Sequence, residues 1–121
     1  MACGRIAPVR ITNPQVVGHT FLDGMLGDGY YPDHLVAKGQ GILRRLCGRI
    51  EADPPADLPA LYALTHAATE SFNDLQDEFF DADSEIETVA RDHIASDFYF
   101  VAESYGFKDA DIEELVATRD W

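Results

Sequence analysis

The sequence predicts an all-α fold, a compact bundle of three long helices plus one or two short helices, and three observations lead there. Apolar residues recur every three or four positions through three stretches of the 121-residue chain, the period of an amphipathic helix. Gly27-Asp28-Gly29 and Asp53-Pro54-Pro55-Ala56 punctuate the chain around those stretches. A composition 46% apolar, with seven Phe, five Tyr and one Trp, supplies one core, and a chain of this length buries roughly two thirds of its unfolded surface as a single domain.

Residues 1–20 read as an irregular N-terminal segment packed on the domain, because they hold Pro8, Pro14, Gly18 and the turn pair Asn13-Pro14; Ile6, Val9 and Ile11 would pin it. Residues 21–121 read as a single helical domain. A short helix over Phe21 to Leu26 turns Phe21, Leu22 and Met25 inward and stops at Gly27-Asp28-Gly29. The first long helix starts at Pro32, where a missing N–H costs nothing, and Asp33 suits the positive end of its dipole. Its apolar side is Leu35, Val36, Ile42, Leu43, Leu46, Cys47 and Ile50, with Arg44, Arg45 and Arg49 opposite or at the C-terminal end. Gly39 and Gly41 weaken it unless they admit another part of the chain.

After the proline break, Asp57 caps a second helix with Pro59 in its first turn. Leu61, Leu64, Thr65, Ala68, Phe72, Leu75 and Phe79 form its inner stripe, and it ends near Phe80. Ser84-Glu85-Ile86-Glu87 matches a capping box, with Ser84 as N-cap and Glu87 reaching back to it. Ile86, Val89, Ala90, His93, Ile94, Phe98, Val101, Ala102 and Tyr105 then carry the helical period to Gly106, a left-handed terminator. Asp109 or Asp111 caps a last short helix that turns Ile112, Leu115 and Val116 inward.

The formal charge of −13 is unevenly spread. Residues 1 to 49 hold six basic and three acidic residues, net +3, whereas residues 50 to 121 hold three basic and nineteen acidic, net −16. That field opposes direct binding to nucleic acid or to an anionic membrane and permits a basic protein partner. The longest apolar run, Phe98 to Ala102, is far short of the roughly 20 residues of a membrane helix. The N-terminus lacks the apolar stretch of a secretory signal, so a cytoplasmic location is expected, with Cys3 and Cys47 as free thiols.

His66, Glu70 and Asp74 recur at four-residue spacing on the second helix and could line up on one face, as a metal site or an acid–base pair requires. This is neither the His-Glu-x-x-His pattern of zinc proteases nor a di-iron Glu-x-x-His. Asp81, Asp83, Glu85, Glu87 and Asp92 imitate a calcium loop, but Ile86 occupies the position of its turn glycine. His93 sits beside Val89, Ala90 and Ile94 and reads as a partly buried histidine; Cys47 lies on an apolar face and reads as a small hydrophobe. Tyr30 and Tyr31 either close the core or are exposed for recognition, and Trp121 either folds back onto the bundle, the favoured reading, or is an exposed anchor.

Three stretches, Leu64-Thr65-His66-Ala67-Ala68-Thr69-Glu70 continuing to Asn73-Asp74-Leu75-Gln76, Ser84-Glu85-Ile86-Glu87-Thr88, and Ala117-Thr118-Arg119-Asp120-Trp121, resemble a family of short bacterial proteins of unknown function that end in the same five residues. The resemblance covers most of the chain from Asn13 onward and implies a bacterial, cytoplasmic source without any catalytic residue. The residues themselves point to a non-catalytic protein-binding module, inhibitor-like or immunity-like, that needs no cofactor. Its partner face is Asp74, Asp77, Glu78, Asp81, Asp83 and Glu85, a run without any basic residue to neutralise it. The alternative is a small metal-dependent or acid–base enzyme using His66, Glu70, Asp74 and His93.

Overall fold

The computed structural model describes residues 11–121, so Cys3, Ile6 and Val9 lie outside the described residues. Within them the chain is helical, in the order α1 (Pro14–Val17), a 3₁₀ turn (Asp23–Met25), α2 (Asp33–Ala52), α3 (Leu58–Asp81), α4 (Thr88–Ser104) and α5 (Ile112–Leu115). No strand occurs among the described residues. The three long helices are the three periodic stretches, and among the described residues no helix is long and apolar enough to cross a membrane.

The inner stripes of α2, α3 and α4 meet in one core around Leu43, Leu61, Phe72, Phe79, Ile94 and Phe98, closed above by Phe21, Leu22 and Met25. Gly39 is buried in α2 because the chain before that helix approaches it: a methyl group there would stand 2.8 Å from Leu22 Cδ1 and 3.1 Å from the Phe72 ring. α3 runs antiparallel to α2 after the proline turn, so Lys38 near the start of α2 meets Glu78 near the end of α3. α4 runs parallel to α2. Two tyrosine–carboxylate hydrogen bonds set that direction: the Tyr31 hydroxyl, just before α2, donates to Glu87 at the start of α4, and the Tyr105 hydroxyl, just after α4, donates to Glu51 at the end of α2.

Glu51 also gathers the N-terminal segment. Its carboxylate accepts from the Thr12 N–H at 2.9 Å, the Thr12 hydroxyl at 2.7 Å and the Asn13 N–H at 3.2 Å. The segment read as irregular therefore contains a helical turn, α1, because the Asn13 side chain accepts from the N–H groups of Gln15 and Val16 and so caps the start that Pro14 favours.

The capping box is corrected. Ser84 does not cap α4; its N–H closes the end of α3 on the Phe79 carbonyl at 2.8 Å, while Asp83, at φ +60°, donates to the Phe80 carbonyl. That is a Schellman ending with an aspartate in the left-handed position. The N-cap of α4 is Glu87, whose carboxylate accepts from Val89 and Ala90. Gly106, at φ +92°, terminates α4 as expected. Two apolar residues expected inside lie outside: Val89 is 52% exposed, in the first turn beyond the reach of α3, and Ile112 is 38% exposed because one-turn α5 docks through Leu115 and Val116.

Glu51 carries a pH signature. Partial desolvation pushes its carboxyl up, but the bonds from Tyr105, Thr12 and Asn13 outweigh this and hold it down at about 2, against an ordinary value of 4.5. A carboxyl depressed in the folded state adds stability that is complete above its ordinary value and is lost as pH falls through its folded one. Chemical unfolding followed from neutral pH to about 2 should therefore show a steeper loss of stability below about 4.5 in the wild type than in Glu51→Gln. Identical slopes would remove Glu51 as the acid-sensitive clamp.

Candidate functional site

Folding divides the predicted acidic face in two. Glu78 pairs with Lys38 at 2.5 Å, and Asp74 lines a groove of about 510 Å³ between α2 and α3 together with His34, Lys38 and Arg45. The acidic run that lacks basic residues in sequence thus receives them from α2. Asp77, Asp81, Asp83 and Glu85 remain exposed, with no ion pair among the described residues, on the last turns of α3 and the loop that follows.

The same end of the bundle carries large apolar side chains in water. Phe80 is 52% exposed and Tyr30 46% exposed, with Val89 alongside on the first turn of α4. Tyr30 is held there because the Ser84 hydroxyl donates to its carbonyl at 2.8 Å, while Tyr31 turns inward against Phe79. Partial desolvation and the charges of Glu85 and Glu87 hold the Tyr30 hydroxyl above its ordinary value of 10. The two tyrosines thus take both roles read from the sequence, Tyr31 closing the core and Tyr30 standing outside it.

The row His66, Glu70, Asp74 separates. His66 Nε2 bonds the Glu114 carbonyl at 2.7 Å and, since a carbonyl only accepts, that nitrogen carries a proton. Glu70 is exposed, and among the described residues no three His, Cys, Asp or Glu side chains form a metal-holding group. His93 is on another element, its ring packed over Gly24 so closely that a methyl group there would stand 2.2 Å from Cε1. Cys47 is buried beneath Tyr105, and burial pushes its thiol up to about 12, far from a nucleophile's range.

What His66 belongs to is a clasp. Tyr62, His66, Thr69, Asn73 and Gln76 recur at helical spacing along α3, and each bonds the segment 111–121. The Tyr62 hydroxyl accepts from the Asp111 N–H at 3.0 Å, Asn73 takes both the Thr118 carbonyl and the Asp120 N–H at 3.0 Å, and Gln76 reaches the Asp120 carboxylate at 3.1 Å. The clasp seats Trp121 against Phe72, 8% exposed, as the packed reading expected. Two of the three stretches that carried the family resemblance are its two sides.

One buried charge escaped sequence reasoning. Asp97 lies inside α4, where it accepts from the Leu22 N–H at 2.7 Å and from His19 at 2.9 Å, and His19 stacks on Phe100 with centroids 3.9 Å apart. Its place between Ile94 and Val101 on the buried stripe is the signal: a carboxylate there needs a partner from another element.

Removing one clasp residue tests the arrangement. Asn73→Ala removes the bonds to the Asp120 N–H and the Thr118 carbonyl, both open to water, a loss of about 0.5–1.5 kcal/mol. Denaturant unfolding should show it, and amide exchange at Asp120 should rise in the variant; unchanged stability and protection would demote the clasp to a surface contact.

No curated protein and no solved structure is significantly similar to the chain. A family model does match, over residues 15–121, and it is described as a family of unknown function, DUF5713. The resemblance read from the sequence is met at that level, and the match spans both sides of the clasp and the whole acidic end: the chain belongs to the DUF5713 family.

Proposed function

We propose that the chain is a non-catalytic protein-binding module that docks a basic partner on the end formed by the last turns of α3 and the start of α4, as an inhibitor or immunity protein does. The observation that carries this reading is the exposure of Phe80 and Tyr30 amid the unpaired carboxylates of Asp77, Asp81, Asp83 and Glu85. An aromatic ring kept in water forgoes burial worth about 1.5–3 kcal/mol. Ringed by carboxylates, it suits a lysine or arginine that lays its apolar stem or its cation on the ring while its charge is paired. The negative end of the α3 dipole adds to the attraction. The carboxylates steer the encounter, and the rings anchor it in the manner of interface hot spots.

The test compares wild type, Asp77→Asn/Asp81→Asn/Glu85→Gln and Phe80→Ser as immobilised baits at low and high salt, each checked for an unchanged helical spectrum. Wild type should retain basic proteins at low salt and release them at high salt. The charge variant should lose them at both salts, and Phe80→Ser should lose affinity with little change in salt dependence. Equal retention of the same proteins by all three baits at both salts would reject the proposal.

A further inference from the structure

We propose that the cavity between the first turns of α4 and the segment 113–121 is a binding site for a small oxyanion, a phosphate or carboxylate group. It has a volume of about 250 Å³ and is walled by Thr88, Arg91, Asp92, Glu113, Arg119 and Trp121. After Arg49 the chain has three basic residues, Arg91, Lys108 and Arg119, and folding brings two of them to this one cavity.

Neither guanidinium is used up. Arg91 donates to the Thr88 hydroxyl at 3.3 Å and forms no ion pair among the described residues. Arg119 reaches Glu113 at 3.5 Å and stacks over the Trp121 ring at 5.8 Å, which fixes its plane and leaves further N–H groups unspent. Each guanidinium has five donors in a fork that fits two oxygens of one anion.

A third donor belongs to a residue of the wall and is closed to solvent. Trp121 is 8% exposed, and its indole Nε1 has no hydrogen-bond partner among the described residues. A buried N–H without an acceptor is rare in folded chains, and it leaves this wall polar without an internal partner. Two guanidinium groups and a hydroxyl around one cavity are oxyanion-binding chemistry, and the orphan indole N–H belongs to a residue of the same wall. The carboxylates of Asp92 and Glu113 stand on the same walls, so they keep the affinity modest and favour a singly charged group over a polyphosphate. The volume, below the roughly 300–1,000 Å³ of drug-sized pockets, also suits a small group rather than a whole nucleotide.

Trp121 is the single tryptophan and so a built-in reporter. The full chain is titrated with inorganic phosphate and, separately, with acetate, chloride holding the ionic strength constant, while tryptophan emission and the indole N–H proton resonance are followed. The expected result is a saturable change of both signals with a millimolar midpoint. In Arg91→Gln, whose side chain does not pack on the indole, the midpoint should move at least tenfold while the melting curve stays that of the wild type. Saturation with phosphate alone assigns the site to phosphate groups; saturation with both anions assigns it to oxyanions at large. A linear response, a stationary indole resonance or equal midpoints in wild type and Arg91→Gln would overturn the assignment.

Discussion

A phenol hydroxyl bonded to a carboxylate ties α2 to α4 at each end, and the rest of the molecule is arranged around that constraint. Hydrogen bonds to an ionised acceptor are roughly twice as strong as neutral ones, and these two fix a direction as well as a contact. With α2 and α4 held parallel, α3 completes the core by running against both, its apolar stripe turned toward them. Glu87 does two things with one carboxylate, capping α4 and holding Tyr31, so the start of that helix and its place beside α2 are not independent. Glu51 likewise closes α2 onto α4 while collecting Thr12 and Asn13, which sets the way the chain enters the bundle.

The same arrangement redistributes charge. The cations of the first half lie on α2 and the anions of the second half on α3 and beyond, so antiparallel packing sets Lys38 against Glu78 and lines one groove with Arg45 and Asp74. The excess charge is left at the end of the bundle, past the reach of the α2 cations, where Phe80 and Tyr30 also stand. Solvent-exposed ion pairs are worth at most about 1 kcal/mol, so the effect on stability is small. The effect on where a charged partner meets the molecule is larger, because close unlike charges cancel at a distance and the uncancelled ones do not.

The helices were legible because burial imposes a period: Leu35 to Ile50, Leu61 to Phe79 and Ala90 to Ala102 repeat every three or four residues and are buried where the period places them, apart from half-buried Leu64 and His93. Signals that rest on a neighbouring element were not legible. Ser84 looks like an N-cap from its three-residue spacing to Glu87, but the preceding helix claims its N–H first and Tyr30 its hydroxyl. His66, Glu70 and Asp74 share a spacing that suits a ligand row and a clasp equally well, and only the return of residues 111–121 decides between them. The negative charge of residues 70–87 was plain, whereas its partial neutralisation depends on α2, more than thirty residues earlier. The family is matched as one of unknown function, so it adds no chemistry to these residues.

The clasp has a temporal side. A chain is made from its N-terminal end, and domains tend to condense in that order. Helices α2, α3 and α4 are therefore synthesised while the stripe from Tyr62 to Gln76 has nothing to hold and Phe72 lacks the indole that covers it in the folded domain. The clasp is the part of the domain synthesised last, a sealing strip laid on the three-helix core. A chain cut short before Leu115 would leave Thr69, Asn73 and Gln76 without these partners and Phe72 without its indole cover, the kind of half-finished face on which chaperones and proteases sort nascent chains.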